Sequence, residues 1–301
     1  MRALLALVLA GLLGVAAFWW ISAPRPASAA LYEGLDGDPA RGERIFWAAG
    51  CAGCHTAPEA EPGDSPVLAG GQRFDTPFGT FVAPNISTDE THGIGAWSDL
   101  GLANAIQRGI GRDGAHLYPA FPYASYIRAR PAEIVDLVAF LRTLPADATP
   151  SEANEVGFPF NIRRGLGLWK RLYLDPDPVV GGLTGAAEDG RHLVEALGHC
   201  GECHTPRTAL GGPDLSRWMA GGPNPAGEGR IPGLTPGQLG WSEGDIAAFL
   251  QSGLTPDFDS VGGEMAEVIA NTARLPDEDR AAIAAYLVAL PDVETAVTAG
   301  E

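Results

Sequence analysis

Two clusters in the chain have residue types and spacing suited to chemistry. Cys51-Ala52-Gly53-Cys54-His55 and Cys200-Gly201-Glu202-Cys203-His204 share the pattern Cys-x-x-Cys-His, and they hold all four cysteines. Two thiols separated by two residues can both reach one edge of a porphyrin and add to its vinyl groups. The histidine that follows then falls below the iron and supplies an axial nitrogen. Other readings of the cysteines are weaker. A four-cysteine zinc site wants about 15–20 residues between its pairs, far fewer than separate these. A thioredoxin-like pair wants a βαβ context, which the sequence lacks. The expectation is two covalently bound haem c groups, one on Cys51, Cys54 and His55 and one on Cys200, Cys203 and His204.

The sixth iron ligand differs between the two clusters. Methionine opposite the histidine is a common arrangement and raises the reduction potential. The chain has three methionines. Met1 is excluded by position, and Met219 aligns with Leu68 of the first half, an apolar loop position. That leaves Met265, in Gly262-Gly263-Glu264-Met265, as the expected ligand of the second haem. The corresponding position of the first half is Phe121, which cannot bind iron. The first haem's sixth position is then filled by another group, by water, or is open. His116, in Ala115-His116-Leu117-Tyr118-Pro119, is the nearest imidazole and a candidate; its alternative is a loop residue at the haem edge. His92, His192 and His199 are weaker candidates, in a polar turn, on a helix and beside Cys200.

These clusters are placed by an internal repeat. Leu68-Ala69-Gly70-Gly71 is echoed by Met219-Ala220-Gly221-Gly222, Trp97-Ser98 by Trp241-Ser242, Gly109 by Gly253, and Leu144-Pro145 by Leu290-Pro291. Each copy reads as helical. Asp38 and Pro39 form a helix start, and Ser98 and Ser242 are expected N-caps. Ile134, Leu137, Val138 and Leu141 make one buried helix face, and Ile283, Leu287 and Leu290 make its counterpart. No alternating apolar run predicts a sheet. The expected fold is all-α, with two tandem domains at 36–146 and 186–292 and a connecting segment at 147–185. That segment carries Ile162, Leu166, Trp169 and Tyr173 at helical spacing, with Arg163, Arg164, Lys170 and Arg171 nearby. The basic residues read as a solvated edge, or alternatively as a docking site or partners of haem propionates.

With 46% apolar and 19% charged residues in 301, the composition is that of a globular chain of about two domains. High Gly and Pro contents fit long loops around a porphyrin that fills core volume. A formal net charge of −17 excludes ordinary nucleic-acid binding and suits a water-facing domain with a basic partner. Residues 1–30 read as a membrane anchor or a signal segment. Ala3 to Ile21 is free of charge and, as a helix, spans roughly 28 Å. Ala27-Ser28-Ala29 could serve as a cleavage site, but the apolar run exceeds the usual signal length and favours a retained anchor, with Trp19 and Trp20 at the outer interface. Either way the rest of the chain is exported to the periplasm.

Several further segments carry a resemblance: Phe78-Gly79-Thr80-Phe81, Pro84-Asn85-Ile86, Gly93-Ile94-Gly95-Ala96-Trp97, Leu117-Tyr118-Pro119-Ala120-Phe121-Pro122-Tyr123 and Gly262-Gly263-Glu264-Met265-Ala266-Glu267-Val268. Over about residues 36–291 the chain resembles the membrane-associated cytochrome c subunits of bacterial alcohol, gluconate and sorbitol dehydrogenases. The resemblance implies electron transfer from a partner dehydrogenase bearing a flavin, pyrroloquinoline quinone or molybdenum cofactor. The acceptor would be ubiquinone, another cytochrome or a terminal oxidase, and the chain itself would transform no organic substrate. The best-known members have three haems, and many have methionine where Phe121 stands. An open first haem would allow a different function, that of a diheme enzyme such as a peroxidase.

Overall fold

The computed structural model describes residues 1–60, 66–224 and 229–292. Helix α1, Arg2–Ile21, buries none of its residues against the rest of the chain. The first domain is built on α2, Pro39–Ala48, and α6, Pro131–Leu141. Asp38 caps α2 by accepting from the Ala40 N–H at 2.8 Å, with Pro39 as first residue, as the sequence predicts. The apolar face of α2 buries Ile45, Phe46 and Trp47 against Ile134, Leu137, Val138 and Leu141 of α6. Between them lie α3, Cys51–His55, α4, Asp99–Arg108, and α5, Tyr123–Tyr126. Ser98 caps α4 through the Gly101 N–H at 3.1 Å.

The second domain repeats this plan. Helix α8, Ala186–His192, runs into a π-turn at Leu193–Leu197 and packs on α13, Asp277–Val288. Helices α9, Gly201–His204, α10, Pro236–Leu239, α11, Glu243–Ser252, and α12, Glu264–Thr272, lie between. Ser242 caps α11 in a capping box with Asp245. The connecting segment contains α7, Leu166–Tyr173. Its later residues are pinned to the second domain, where buried Glu195 accepts from the Val179 and Val180 N–H groups at 2.6 and 3.0 Å.

Two small antiparallel pairs add to the predicted all-α plan. Strand β1, Arg73–Thr76, pairs with β2, Gly79–Val82, in the register Arg73 to Val82, and β3, Gly222–Pro223, pairs with β4, Arg230–Ile231. Strands this short carry no readable alternation, which is why periodicity misses them.

In both domains the entering helix crosses the closing helix at a glycine. A Cβ on Gly42 would run into the Asp136 carbonyl oxygen, and one on Gly190 into that of Ala282. The absence of a side chain lets the two backbones touch. The domains then exchange matching contacts. Two residues after its glycine, Arg44 of α2 forks onto Asp279 of α13 at 2.6 and 2.5 Å. Two residues after the other glycine, His192 of α8 donates its Nε2 hydrogen to the Glu133 carboxylate of α6, 2.8 Å from each oxygen. Glu133 and Asp279 each lie three residues before the residue that their glycine meets. The domains are therefore related by an approximate two-fold arrangement, and buried apolar residues of both form one continuous core.

Burial alone would raise the pKa of Glu133, but the His192 hydrogen bond and charge, with the Arg130 N–H, outweigh it and leave the carboxyl below its ordinary range. A lowered folded-state pKa stabilises the fold above the unfolded value, and that contribution is lost as pH falls through the folded value. Glu133→Gln should therefore cost roughly 1–2 kcal/mol in urea unfolding at neutral pH. The difference should begin to shrink near the ordinary glutamate pKa of about 4.3, and wild type and variant should converge only below the lower folded-state value.

Candidate haem sites

Each Cys-x-x-Cys-His cluster begins three residues past the end of its entering helical segment, α2 in the first domain and α8 with its π-turn in the second, and the backbone turns into it through a left-handed residue. Gly50 does this in the first domain with φ +62°, and His199 in the second with φ +42°. His199 has a structural task, since its Nε2 donates to the Ala49 carbonyl of the other domain at 3.2 Å. All four thiols are free, with Cys54 and Cys203 exposed and Cys51 and Cys200 half-buried. Burial pushes the half-buried Cys51 and Cys200 thiols up to about 12.

The histidines are oriented alike. His55 Nδ1 lies 2.8 Å from the Pro84 carbonyl oxygen, and His204 Nδ1 lies 2.8 Å from that of Pro232. A carbonyl only accepts, so Nδ1 carries the hydrogen and Nε2 is left with its lone pair free. Burial lowers both pKa values, against the opposing effect of the carbonyl hydrogen bond, which favours the neutral, ligating imidazole. The loops that supply these carbonyls match as well. The Gly70 and Gly221 N–H groups donate to the His55 and His204 carbonyls, each at 2.7 Å, and the Ile86 and Leu234 N–H groups to those of Leu68 and Met219, at 2.9 and 2.8 Å. Leu68 and Met219 are both fully buried. Free thiol pairs beside an imidazole with an open Nε2 fit the thioether and axial bonds of haem c.

On the opposite side of the repeat, isolated bridges pair Ile110 with His116 and Leu254 with Ser260, and the Leu117 and Val261 N–H groups donate to the Gly109 and Gly253 carbonyls. Counting forward from these matched pairs puts Phe121 and Met265 at one position. Met265 is half-buried against the core in the first turn of α12, and Phe121 is half-buried beside the rings of Tyr123 and Tyr126.

His116 holds the end of the N-terminal helix through one of its ring nitrogens. The side chain is buried, and its Nε2 donates to the Ser22 carbonyl oxygen at the end of α1, 2.9 Å away. Its other ring nitrogen, Nδ1, is buried with no hydrogen-bond partner among the described residues. His192 is bound to Glu133, and His92 sits in the turn closed by Asp89, whose carboxylate accepts from the His92 N–H at 2.6 Å.

Sequence reasoning missed the closeness of the two sites, because it arises from contacts between the copies. Ser125 Oγ donates to Glu202 at 3.3 Å, placing α5 of the first domain beside the second cluster. Reciprocally, α12 packs on α3, and a Cβ on Gly53 would lie 3.4 Å from the Glu267 Cβ. Glu264 acts electrostatically on both Cys54 and Cys203.

Residues 39–145 and 187–291 each match the family described as cytochrome c. The chain belongs to the cytochrome c family. It is 54% identical over 284 residues to a "Diheme cytochrome c-type" protein of Cereibacter sphaeroides, covering 94% of this chain and 96% of that one. It is 39% identical to the fructose dehydrogenase cytochrome subunit of Gluconobacter japonicus, over 83% of this chain and 52% of the relative. It is 34% identical to the cytochrome c subunit of a quinone alcohol dehydrogenase of Gluconobacter oxydans, over 87% and 56%. The chain thus spans about half the length of these two dehydrogenase subunits. Two cytochrome c domains and a diheme relative make it a diheme electron-transfer protein with two haem c groups.

Proposed function

We propose that this cytochrome is a membrane-anchored relay on the periplasmic side, taking electrons from a partner dehydrogenase and passing them to quinone, another cytochrome or an oxidase. Haem c supplies one-electron iron chemistry when bound. Cys51 and Cys54 hold the first group and Cys200 and Cys203 the second. His55 and His204 would hold the irons through Nε2, and Met265 would supply a sulfur ligand at the second site. The observation that carries this reading is the reciprocal contact of each domain with the other domain's Cys-x-x-Cys-His cluster. A relay needs its redox centres held close and rigidly, whereas a substrate enzyme needs an open reaction pocket. The dehydrogenase subunits among the relatives support the donor class.

If Met265 is the distal ligand, Met265→Leu should lower the second haem's potential, on the order of a hundred millivolts within the roughly 0.8 V that axial ligands span. The first haem should not change. Phe121→Met should raise the first haem's potential and leave the second alone. Redox titration followed by visible spectra resolves the two.

Phe121 and the engagement of His116 favour a second reading for the first site. With no methionine there, and with His116 Nε2 held by the Ser22 carbonyl, its iron would be open to a small ligand. The reduced protein should then bind carbon monoxide at one haem, and Phe121→Met should abolish that binding. Failure of both haems to bind carbon monoxide would exclude small-ligand chemistry and leave the relay alone.

Anchoring is supported by the end of α1. This 20-residue helix has a mean hydropathy of 2.4, and its last carbonyls are taken up by the folded domain. Arg164 donates to the Trp19 oxygen, Arg171 to that of Ile21 at 3.1 and 3.2 Å, and His116 to that of Ser22. Helix termini leave such carbonyls without intrahelical partners. The candidate cleavage segment is also docked, with the Ala27 N–H on Asn104 at 2.7 Å. The mature protein should therefore keep residues 1–30. Intact mass of the membrane-extracted protein checks this, and a mass beginning at Ala30 would refute the anchor.

A further inference from the structure

The basic residues of the connecting segment are gathered where α1 leaves its apolar span. Arg164 donates to the Trp19 carbonyl and to Ser22 Oγ at 3.0 Å, and its guanidinium lies 4.6 Å from the centre of the Trp19 ring. Arg171 binds the Ile21 carbonyl, and Arg163 Nε donates to the His116 carbonyl at 2.7 Å. Gly167 packs directly on Ser22, where a Cβ would meet the Ser22 backbone. Helix α7 therefore crosses the very end of α1. With α1 spanning a bilayer, these guanidinium groups lie one hydrogen bond from the edge of the hydrocarbon, in the headgroup layer.

Three further observations concern the same place. The chain carries a net charge of −17, yet Arg163, Arg164 and Arg171 cluster here, with the Asp113 carboxylate 3.8 Å from Arg163. Beside them, Phe158, Ile162 and Leu172 are 81%, 50% and 64% exposed, unusual for side chains of their size. A shallow groove runs down α1 along Leu12, Val15, Ala16, Trp19 and Trp20 and ends at Arg164. An apolar groove topped by a guanidinium has the shape and polarity of a phospholipid, chain below and phosphate above. Arginine suits this role because a guanidinium carries five N–H groups, so those not spent on the end of α1 can reach a phosphate.

We propose that residues 158–172 lie in the headgroup layer and bind anionic phospholipid, with the remaining N–H groups of the arginines on the phosphate and an acyl chain along the apolar face of α1. The inference rests on the anchor reading. It adds that the bilayer fixes the orientation of the diheme domains through α7, and does not merely tether them by α1. The negative remainder of the protein is repelled by the same lipid, so contact is confined to this patch.

The full-length holoprotein, checked by intact mass for residues 1–30, is placed in mixed phosphatidylcholine and phosphatidylglycerol micelles, and retained lipid is counted by mass spectrometry. Phosphatidylglycerol should be enriched over its bulk fraction. Arg163→Gln and Arg171→Gln should each cut that enrichment by roughly fivefold at most. Arg230→Gln, in the second domain, should leave it unchanged. Because the first two changes also touch the cap of α1, spin labels on Phe158→Cys, Leu172→Cys and, as control, Phe258→Cys give an independent reading in nanodiscs. With phosphatidylglycerol present, labels at 158 and 172 should lose collisions with a water-soluble nickel chelate, and the label at 258 should not. Residues 1–30 present, but no enrichment and water-accessible labels at 158 and 172, would overturn the lipid site while leaving the anchor intact. That outcome would leave the surface for a protein partner. Loss of residues 1–30 would refute the anchor reading itself, and the lipid site with it.

Discussion

The close crossing of entering and closing helices, α2 on α6 and α8 on α13, is the constraint on which both haem scaffolds depend. Each Cys-x-x-Cys-His cluster starts within three residues of the entering helix, so the crossing sets where the thiols and the proximal histidine lie. It works because Gly42 and Gly190 bring backbone against backbone. The same crossing places Arg44 and His192 at the domain boundary, where the acidic ends of the opposite closing helices receive them. One local geometry, used twice, thus organises both the cofactor scaffolds and the interface between them.

Much of this is legible in the sequence for a physical reason: caps, helix faces and Cys-x-x-Cys-His are local patterns. Asp38, Ser98 and Ser242 cap the helices that their positions predict. Ile134, Leu137, Val138 and Leu141 form the buried face that their spacing predicts. Contacts between distant segments are not legible. Nothing near Pro84 or Pro232 marks its carbonyl as the acceptor for a histidine some thirty residues earlier. Nor does the sequence mark the basic residues at 163–171 as the cap of the N-terminal helix. They read as a solvated edge, and pairing over some 150 residues gives them their use.

The scaffold is more symmetric than the chemistry that it carries. Backbone hydrogen bonds around the two sites match nearly one for one, down to the carbonyl on each histidine Nδ1. The side chains opposite differ. Phe121 occupies the position that Met265 holds in the second domain, and His116 stands where the second domain has Ser260. Duplication supplies the frame, and substitution at a few positions separates the two roles. Axial ligation is the strongest such lever, because a thioether ligand stabilises the reduced iron.

The two substitutions are set apart by α1. His116 holds the end of α1, together with Arg164 and Arg171 from the connecting segment, so the first domain is fastened directly to α1. Serine at position 260 has no imidazole with which to make the equivalent bond. The first domain has therefore taken on attachment, and the second, with Met265 available, keeps the residue set suited to a high potential. Electrons entering at the lower-potential site and leaving at the higher would then cross between the clusters where α12 meets α3 and α5 meets the second cluster. The frame is nearly symmetric, and the asymmetry lies in which domain is fastened to α1 and which has a methionine at the matched position.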